Sequence, residues 1–326
     1  MAAALPDAAT LASRFGLGKP SGPMTPVARG VMGRVWSLET DRGRWAVKAL
    51  FDWADAAGAE TDVALQEAAS AAGVALPRPV RSPSGAVVET VAGRRWRVHA
   101  WVDLAPPPAL PVDPALASQV GALLAKLHRL AVPAPGAISP WFTRQPPTAR
   151  WSELLTEATE AGAPWAPALR EAMPAIAELS WVAARPPAEP AILCHCDLIP
   201  ENVRPVPGGL VVIDWEHAGA LPPGWELGYL VAAWCAGQQD ATGARVLAGA
   251  YREYGGAVAG PDLGIFAAAA SAWLNFTAGL AAQALAGGDT DQQTFVLHNL
   301  TDLLASPLDR ATLELLLGAI SITTLA

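Results

Sequence analysis

Apolar and polar positions alternate in short runs through the first hundred residues, which predicts a β-rich unit. The turn at Asp41-Arg42-Gly43 lies between two such runs and predicts a hairpin, and Ala92-Gly93 predicts a second one. An Ala-rich helix is predicted between the hairpins, near 56–72, and ends before Gly73. The predicted strands cover 35–40, 45–50, 86–91 and 94–102.

From Asp113 onward the apolar residues take helical spacing, as in Val120, Leu123, Leu124 and Leu127. The predicted helices cover 114–130, 151–179 (one or two helices), 225–236, 241–254, 263–286 and 291–304. Two short apolar runs, 191–193 and 210–213, interrupt this pattern and flank a loop-like segment at 197–209. The chain is therefore expected to be β-rich first and mostly helical afterwards.

The stretch 263–288 has no charged residue and is long enough to span a bilayer. It is dominated by Ala and Gly and carries Ser271, Asn275, Thr277 and Gln283. Because Ala is only weakly lipophilic, this pattern favours a buried helix of a large helical domain over a membrane span.

Composition narrows the class of protein further. With 326 residues, 52% hydrophobic and 16% charged, the chain is expected to fold into about two domains. A net charge of -8 excludes general attraction to nucleic acid or to an anionic membrane. Three cysteines and an N-terminus without a basic region favour a cytoplasmic protein without a signal peptide.

Chemistry is concentrated between the two short apolar runs of the helical half. Asp197 and Asn202 are five residues apart on a loop, and Asp214 ends the next apolar run. Two carboxylates and an amide oxygen suit Mg²⁺, and one carboxylate could instead accept a proton from a substrate hydroxyl. These are the groups that phosphoryl transfer from a nucleotide requires.

The β-rich half carries groups suited to phosphate. Gly30 and Gly33 form a turn where backbone can approach phosphates closely. Lys48 lies inside an apolar strand, where burial is costly unless the ammonium has a partner. Phosphates and a carboxylate of the following helix would satisfy it, and Glu60 and Glu67, seven residues apart, could share a helical face.

Together these motifs resemble the aminoglycoside phosphotransferase family, which is kinase-like. The resemblance rests on five motifs in this order along the chain: the glycine turn, AVK (46–48), GALLAKLHRL (121–130), HCDLIPEN (195–202) and VVIDW (211–215). It runs from about Val27 to Tyr229. It implies a two-lobed, protein-kinase-like α+β fold, with a nucleotide-binding lobe at 1–103 and a helical catalytic and substrate lobe at 104–326.

The resemblance also implies residue roles. Asp197 would be the catalytic aspartate that orients and deprotonates the acceptor hydroxyl, and Asn202 and Asp214 would hold Mg²⁺. Lys48 would contact the α- and β-phosphates and pair with Glu67, whose nineteen-residue separation from Lys48 resembles that of protein kinases; Glu60 is the alternative.

The remaining implied roles concern the nucleotide. The loop with Gly30 and Gly33 would cover the phosphates. Residues 99–104, including His99 and Trp101, would recognise the base through backbone groups. The expected nucleotide is therefore ATP or GTP, and side chains do not distinguish the two. His195 would be structural.

Three features depart from the family pattern. Cys196 stands where Gly or Arg is usual, the metal motif lacks a glycine, and Glu226 replaces an Asp that braces the catalytic loop. A zinc site at Cys194, His195, Cys196 and His217 is disfavoured because the paired C-x-x-C spacing is absent.

The expected activity is Mg²⁺-dependent transfer of phosphate to a hydroxyl of a small molecule, with antibiotic resistance as one possible role. The uncharged segment 263–288 favours an acceptor less cationic than an aminoglycoside: a sugar, a nucleoside-type or glycosylated antibiotic, or a small alcohol. Trp234, Trp273, Asn275 and Phe276 lie where the acceptor would dock. The alternatives are a silent nucleotide-binding regulator and a metabolic sugar or amino-alcohol kinase.

Overall fold

The structure, a computed structural model, describes residues 6–30, 32–51, 58–257, 261–288 and 290–321. Val31 of the glycine turn and the first two residues of the helix predicted at 56–72 lie outside the described residues. The chain divides into two compact units. The first comprises residues up to Pro107 together with Glu201–Gly219, and the second comprises Pro108–Pro200 and the residues from Ala220 on.

The first unit contains a five-stranded antiparallel sheet, and the alternating pattern predicts four of its strands. Its strands follow the order β1-β2-β3-β5-β4. They are β1 (Thr25–Arg29), β2 (Gly33–Thr40), β3 (Gly43–Leu50), β4 (Glu89–Val91) and β5 (Arg94–Ala100). Both predicted hairpins form, and β3 and β5 bring the two hairpins together edge to edge.

One face of this sheet builds the core of the first unit. Trp36 and Leu38 of β2 are buried together with Val47 of β3 and Trp96 of β5. The side chains of alternate residues share a face of a strand, so this face is the apolar half of the sequence pattern. The helix α1 (Ala8–Phe15) packs into the same cluster.

Two further elements of the first unit carry site residues. The predicted Ala-rich helix is α2 (Ala59–Ala71). The segment predicted as a loop up to 209 instead contains β7 (Val203–Val206), which pairs with β8 (Gly209–Val212) as a hairpin. The sequence signal is weak because Pro205 lacks an N–H, but a two-stranded ribbon tolerates such a residue.

The second unit is mostly helical, as predicted. Its described helices are α3 (Pro114–His128), α4 (Pro140–Thr143), α5 (Thr148–Glu160), α6 (Ala166–Ala183), α7 (Pro223–Cys235), α8 (Ala241–Glu253), α9 (Ala267–Ala286), α10 (Thr290–Ala305) and α11 (Arg310–Ser321). A short pair of strands, β6 (Ile192–Cys194) and β9 (Gly219–Leu221), precedes and follows the site segment.

Leu263–Ala286 is long and apolar enough to cross a membrane by length and composition. However, 72% of its most apolar window is buried in the structure. Burial on most sides explains why the segment lacks charge, and it agrees with the predicted core helix.

Close packing of α3 against α8 depends on Gly121. A Cβ at this position would lie 2.1 Å from the carbonyl oxygen of Leu247, so backbone would have to move. We expect Gly121→Ala to destabilise the protein by about 1–3 kcal/mol, the usual cost of overpacking. The measurement is the midpoint of thermal unfolding.

Gly249→Ala on α8 is the matched control, because a Cβ there would meet nothing within 4 Å. It should be neutral or stabilise by at most about 1 kcal/mol through helix propensity. Equal midpoints for the two variants would contradict the packing argument.

Candidate active site

Lys48 lies on β3 and is almost fully buried. Its Nζ donates to Asp214 Oδ1 at 3.0 Å and to Glu216 Oε2. Burial by itself would lower the pKa of Lys48, but the charges of Asp214 and Glu216 outweigh it and raise that pKa. The buried strand therefore presents a charged ammonium, as a phosphate-binding lysine requires.

The carboxylates that pair with Lys48 in the structure are not the ones that the sequence predicted. Glu67 and Glu60 do lie on one face of α2, but this face is exposed and both residues pair with Arg81. Glu60 Oε2 lies 2.9 Å from Arg81 Nη1, and Glu67 Oε1 lies 3.5 Å from Arg81 Nε. The predicted Lys48–Glu67 pair is thus replaced by pairs with Asp214 and Glu216. The sequence could not show which face of this helix is buried, because alanine is common on all of its faces.

The acidic residue that α2 buries is Asp62. It accepts two hydrogen bonds from Arg97 of β5, at 2.6 and 2.7 Å, and both side chains are 3% exposed. Burial raises the pKa of Asp62, and the bidentate contact with Arg97 opposes that rise. Arg97 Nη1 also lies 3.7 Å from Glu216 Oε1.

Asn202 and Asp214 lie at the same end of the β7–β8 hairpin. Asn202 immediately precedes β7, and its carbonyl accepts the N–H of Ile213 at 2.9 Å, one residue before Asp214. Asp214 has φ 59° and ψ 57°, a left-handed conformation that costs a non-glycine residue about 1–3 kcal/mol. The hairpin therefore delivers one carboxylate and one amide close together, an oxygen donor set that fits Mg²⁺.

The glycine turn is closed by its own backbone. Gly30 N–H donates to the carbonyl of Gly33 at 2.9 Å. A Cβ at Gly33 would lie 2.3 Å from the carbonyl oxygen of Ala49, so pairing of β2 with β3 requires glycine here. Contact of this turn with phosphate stays a prediction.

The predicted hinge begins at the end of β5. Burial lowers the pKa of His99 to about 3, and the positive charges of Arg97 and Lys48 add to this effect, so the imidazole is neutral. Trp101 N–H donates to the carbonyl of Arg44 at 3.1 Å, and the Arg44 guanidinium lies 3.8 Å from the Trp101 ring centre. Since this N–H is engaged within the first unit, recognition of a base by it would need that bond to open.

Asp197 follows β6 in the second unit, on a backbone braced by Glu226. Cys196 has φ 64°, and its N–H donates to Glu226 Oε1 at 2.6 Å. The other carboxylate oxygen lies 2.6 Å from His128 Nε2. Burial would raise the pKa of Glu226, but the hydrogen bond and charge of His128 lower it, so this carboxylate is ionised.

Aromatic side chains complete the surroundings of Asp197. The Tyr229 hydroxyl lies 3.4 Å from Asp197 Oδ1, and Trp234 Nε1 donates to the carbonyl of Leu198 at 2.8 Å. His128 Nδ1 lies 2.8 Å from the hydroxyl of Tyr251. Trp234 is fully buried, and its hydrogen bond to Leu198 stabilises the loop that carries Asp197. It therefore does not line an acceptor site, contrary to the suggestion from the sequence.

Among the described residues, the cluster of possible metal ligands differs from the set Cys194, His195, Cys196 and His217 that the sequence raised. His128, Cys194 and Glu226 are the group whose ligand atoms lie within 4.8 Å of one another. Burial raises the pKa of the Cys194 thiol well above its ordinary value, and Cys194 Sγ donates to the carbonyl of Leu221. A protonated thiol is a poor metal ligand.

Comparison with known proteins decides the family. The sequence model of the phosphotransferase enzyme family (APH) matches residues 23–260, well over half of the chain. The chain belongs to this phosphotransferase family. The predicted resemblance is confirmed, and the protein is a small-molecule kinase that phosphorylates a hydroxyl group. No curated protein sequence matches the phosphotransferase.

Solved structures support the kinase-like, two-lobed α+β fold. A spectinomycin phosphotransferase in complex with ADP and spectinomycin has a TM-score of 0.67 at 12% identity, covering 92% of this chain and 94% of that one. An aminoglycoside phosphotransferase from Alicyclobacillus acidocaldarius has 0.61 at 18%, covering 98% and 96%. A microcompartment-associated aminopropanol kinase has 0.60 at 16%, covering 96% and 99%.

Sequence reasoning about the phosphotransferase missed several residues that the structure places in the two sites. They are Asp62, Arg97, Glu216, Tyr229 and Tyr251. Arg97 gave little signal, because the strand 94–100 contains three arginines and only the structure shows that this one is buried against a carboxylate.

Proposed function

We propose that this phosphotransferase transfers the γ-phosphate of ATP or GTP, with Mg²⁺, to a hydroxyl of an uncharged or weakly cationic small molecule. The observation that carries the proposal is the buried, charged Lys48 paired with Asp214, at the end of the hairpin that also carries Asn202. A buried ammonium beside oxygen ligands suits a metal-bound nucleotide phosphate.

The proposal assigns a role to each of these side chains. Lys48 binds phosphate oxygens, and Asn202 and Asp214 hold Mg²⁺. When bound, the metal neutralises charge on the phosphates. Asp197 orients the acceptor hydroxyl and accepts its proton, and Glu226 holds the backbone that carries Asp197 by its bond to Cys196 N–H.

The charges of the second unit support the acceptor class. The segment 263–288 is uncharged, and on helix α5 both Glu153 and Glu157 are paired with Arg150. A polycation would need free carboxylates, so a hydroxylated acceptor with little positive charge is favoured. Because one similar structure holds spectinomycin, hydroxylated antibiotics are included in the test.

The test is a transfer assay with purified protein, Mg²⁺ and ATP or GTP supplied separately. The acceptors are aminoglycosides, other hydroxylated antibiotics, nucleosides, sugars and amino alcohols, and Asp197→Ala is the blank. Transfer to one class that disappears in the blank supports the proposal. Transfer only to polycationic aminoglycosides would refute the acceptor class, and Mg²⁺-dependent nucleotide binding without transfer to any acceptor would favour the regulatory alternative.

Asp214→Ala should weaken Mg²⁺-dependent nucleotide binding about tenfold or more, because one metal ligand and one partner of Lys48 are lost. Calorimetric titration of nucleotide with and without Mg²⁺ measures this change. Glu39→Ala removes an exposed carboxylate of the same unit and is the control. Equal affinities of wild type and Asp214→Ala in Mg²⁺ would contradict the assignment.

A further inference from the structure

Two buried cations lie side by side in the central sheet of the first unit. Lys48 of β3 and Arg97 of β5 are directly opposite in the antiparallel register, and both are nearly inaccessible to solvent. Like charges at such positions repel each other, and burial strengthens the repulsion. The sheet therefore needs carboxylates that serve both residues.

Glu216 is the carboxylate that reaches both cations. Its Oε2 accepts from Lys48 Nζ, and its Oε1 lies 3.7 Å from Arg97 Nη1. Its side chain is only 8% exposed. Arg97 is fixed in turn by the two hydrogen bonds to Asp62 of α2.

These five residues form an ion-pair relay of alternating charge: Asp62, Arg97, Glu216, Lys48 and Asp214. We propose that Glu216 is the positioning residue for Lys48 and that Asp62, through Arg97, holds Glu216 in place. Helix α2 is thereby coupled to the phosphate-binding lysine through a buried aspartate and an arginine, in place of the direct glutamate contact that the sequence suggested.

The relay has a physical consequence for nucleotide binding, and in this respect it rests on the proposed function. Asp214 is the carboxylate of Lys48 that the proposal also assigns to Mg²⁺. Glu216 is a second carboxylate bonded to Lys48. It would therefore hold the ammonium in place when Asp214 binds the metal. Loss of Glu216 should leave Lys48 free to adopt other rotamers in its buried strand.

The first test needs no nucleotide. The chain has three lysines, and Lys19 and Lys126 are exposed, so they are internal standards for acetylation by acetic anhydride. Peptide mass spectrometry of the ligand-free protein should show Lys48 strongly protected. In Glu216→Gln the rate at Lys48 relative to Lys19 and Lys126 should rise about tenfold, because a charge-assisted hydrogen bond is lost.

The second test separates the relay from an action of Glu216 alone. The paired change Asp62→Leu with Arg97→Met removes both buried charges and keeps apolar volume, so it is expected to fold. The relay predicts that this variant also exposes Lys48 to acetylation and raises the nucleotide KM by about tenfold with little change in kcat. Wild-type acetylation and KM in this variant would overturn the relay.

The rival prediction is tested by Glu67→Gln, which should leave acetylation of Lys48 unchanged. If Glu67→Gln increases it and Glu216→Gln does not, the inference is wrong. Should wild type bind no nucleotide, the proposed function fails, while the acetylation ratios still decide whether the relay exists.

Discussion

Asp197→Ala is expected to lower kcat for phosphate transfer by about 10²–10⁴-fold, the usual contribution of a positioned general base. Nucleotide binding should stay at the wild-type value, because Lys48, Asn202 and Asp214 all belong to the other unit. Steady-state transfer and calorimetric nucleotide titration on the same preparations measure the two quantities. A large loss of kcat with unchanged affinity is the signature of a group needed in the transition state.

Asp302→Ala is the matched control, because it removes an exposed aspartate of the second unit. It should transfer phosphate at the wild-type rate. Wild-type turnover in Asp197→Ala would refute the catalytic role, and weaker nucleotide binding in that variant would show that Asp197 serves the nucleotide.

The part of the fold that the sequence predicts best is the part with short-range signals. The two hairpins of the first unit each have a short turn sequence between alternating runs, and both form. Strand β1 and helix α1 were not predicted. Helix α1 nevertheless had a visible signal, since Asp7 caps its start and Gly16 ends it in the left-handed conformation.

The partners of Lys48 could not be predicted from sequence for a different reason. Burial of Lys48 correctly predicts a carboxylate partner, but Glu216 lies 168 residues away in sequence and nothing local indicates it. The sequence pointed to Glu60 and Glu67 of helix α2 and left out Asp62, because the Ala-rich composition of this helix does not show which face is buried. Only the tertiary contact with Arg97 decides that Asp62 is the buried one.

Glu226, which stands where the family often has an Asp, is a second residue whose contacts only the structure reveals. The sequence identifies Glu226 as a departure from the family pattern, and the structure shows it bonded to Cys196 N–H and to His128. Cys196 occupies a left-handed conformation without the help of glycine. A buried, ionised carboxylate bonded to that N–H offsets the backbone strain, which no single-residue preference could reveal.

The relay also predicts a large effect on stability. Asp62→Ala would leave Arg97 buried without its bidentate partner, which typically costs about 3–5 kcal/mol. We expect the urea midpoint of unfolding to fall markedly, because the whole stability of a domain is only about 5–15 kcal/mol. Glu60→Ala on the same helix removes the acid of an exposed pair with Arg81 and should cost at most about 1 kcal/mol.

The paired variant Asp62→Leu with Arg97→Met then distinguishes two roles of the buried pair. If the pair mainly stabilises the fold, the double variant should be as unstable as Asp62→Ala. We expect it to recover most of the lost stability, because it buries no unpaired charge and apolar replacements of buried ion pairs are often neutral. Recovery of stability together with a mispositioned Lys48 would mean that the pair orders Glu216 and Lys48. An Asp62→Ala midpoint equal to that of Glu60→Ala would show that Arg97 is not held by Asp62.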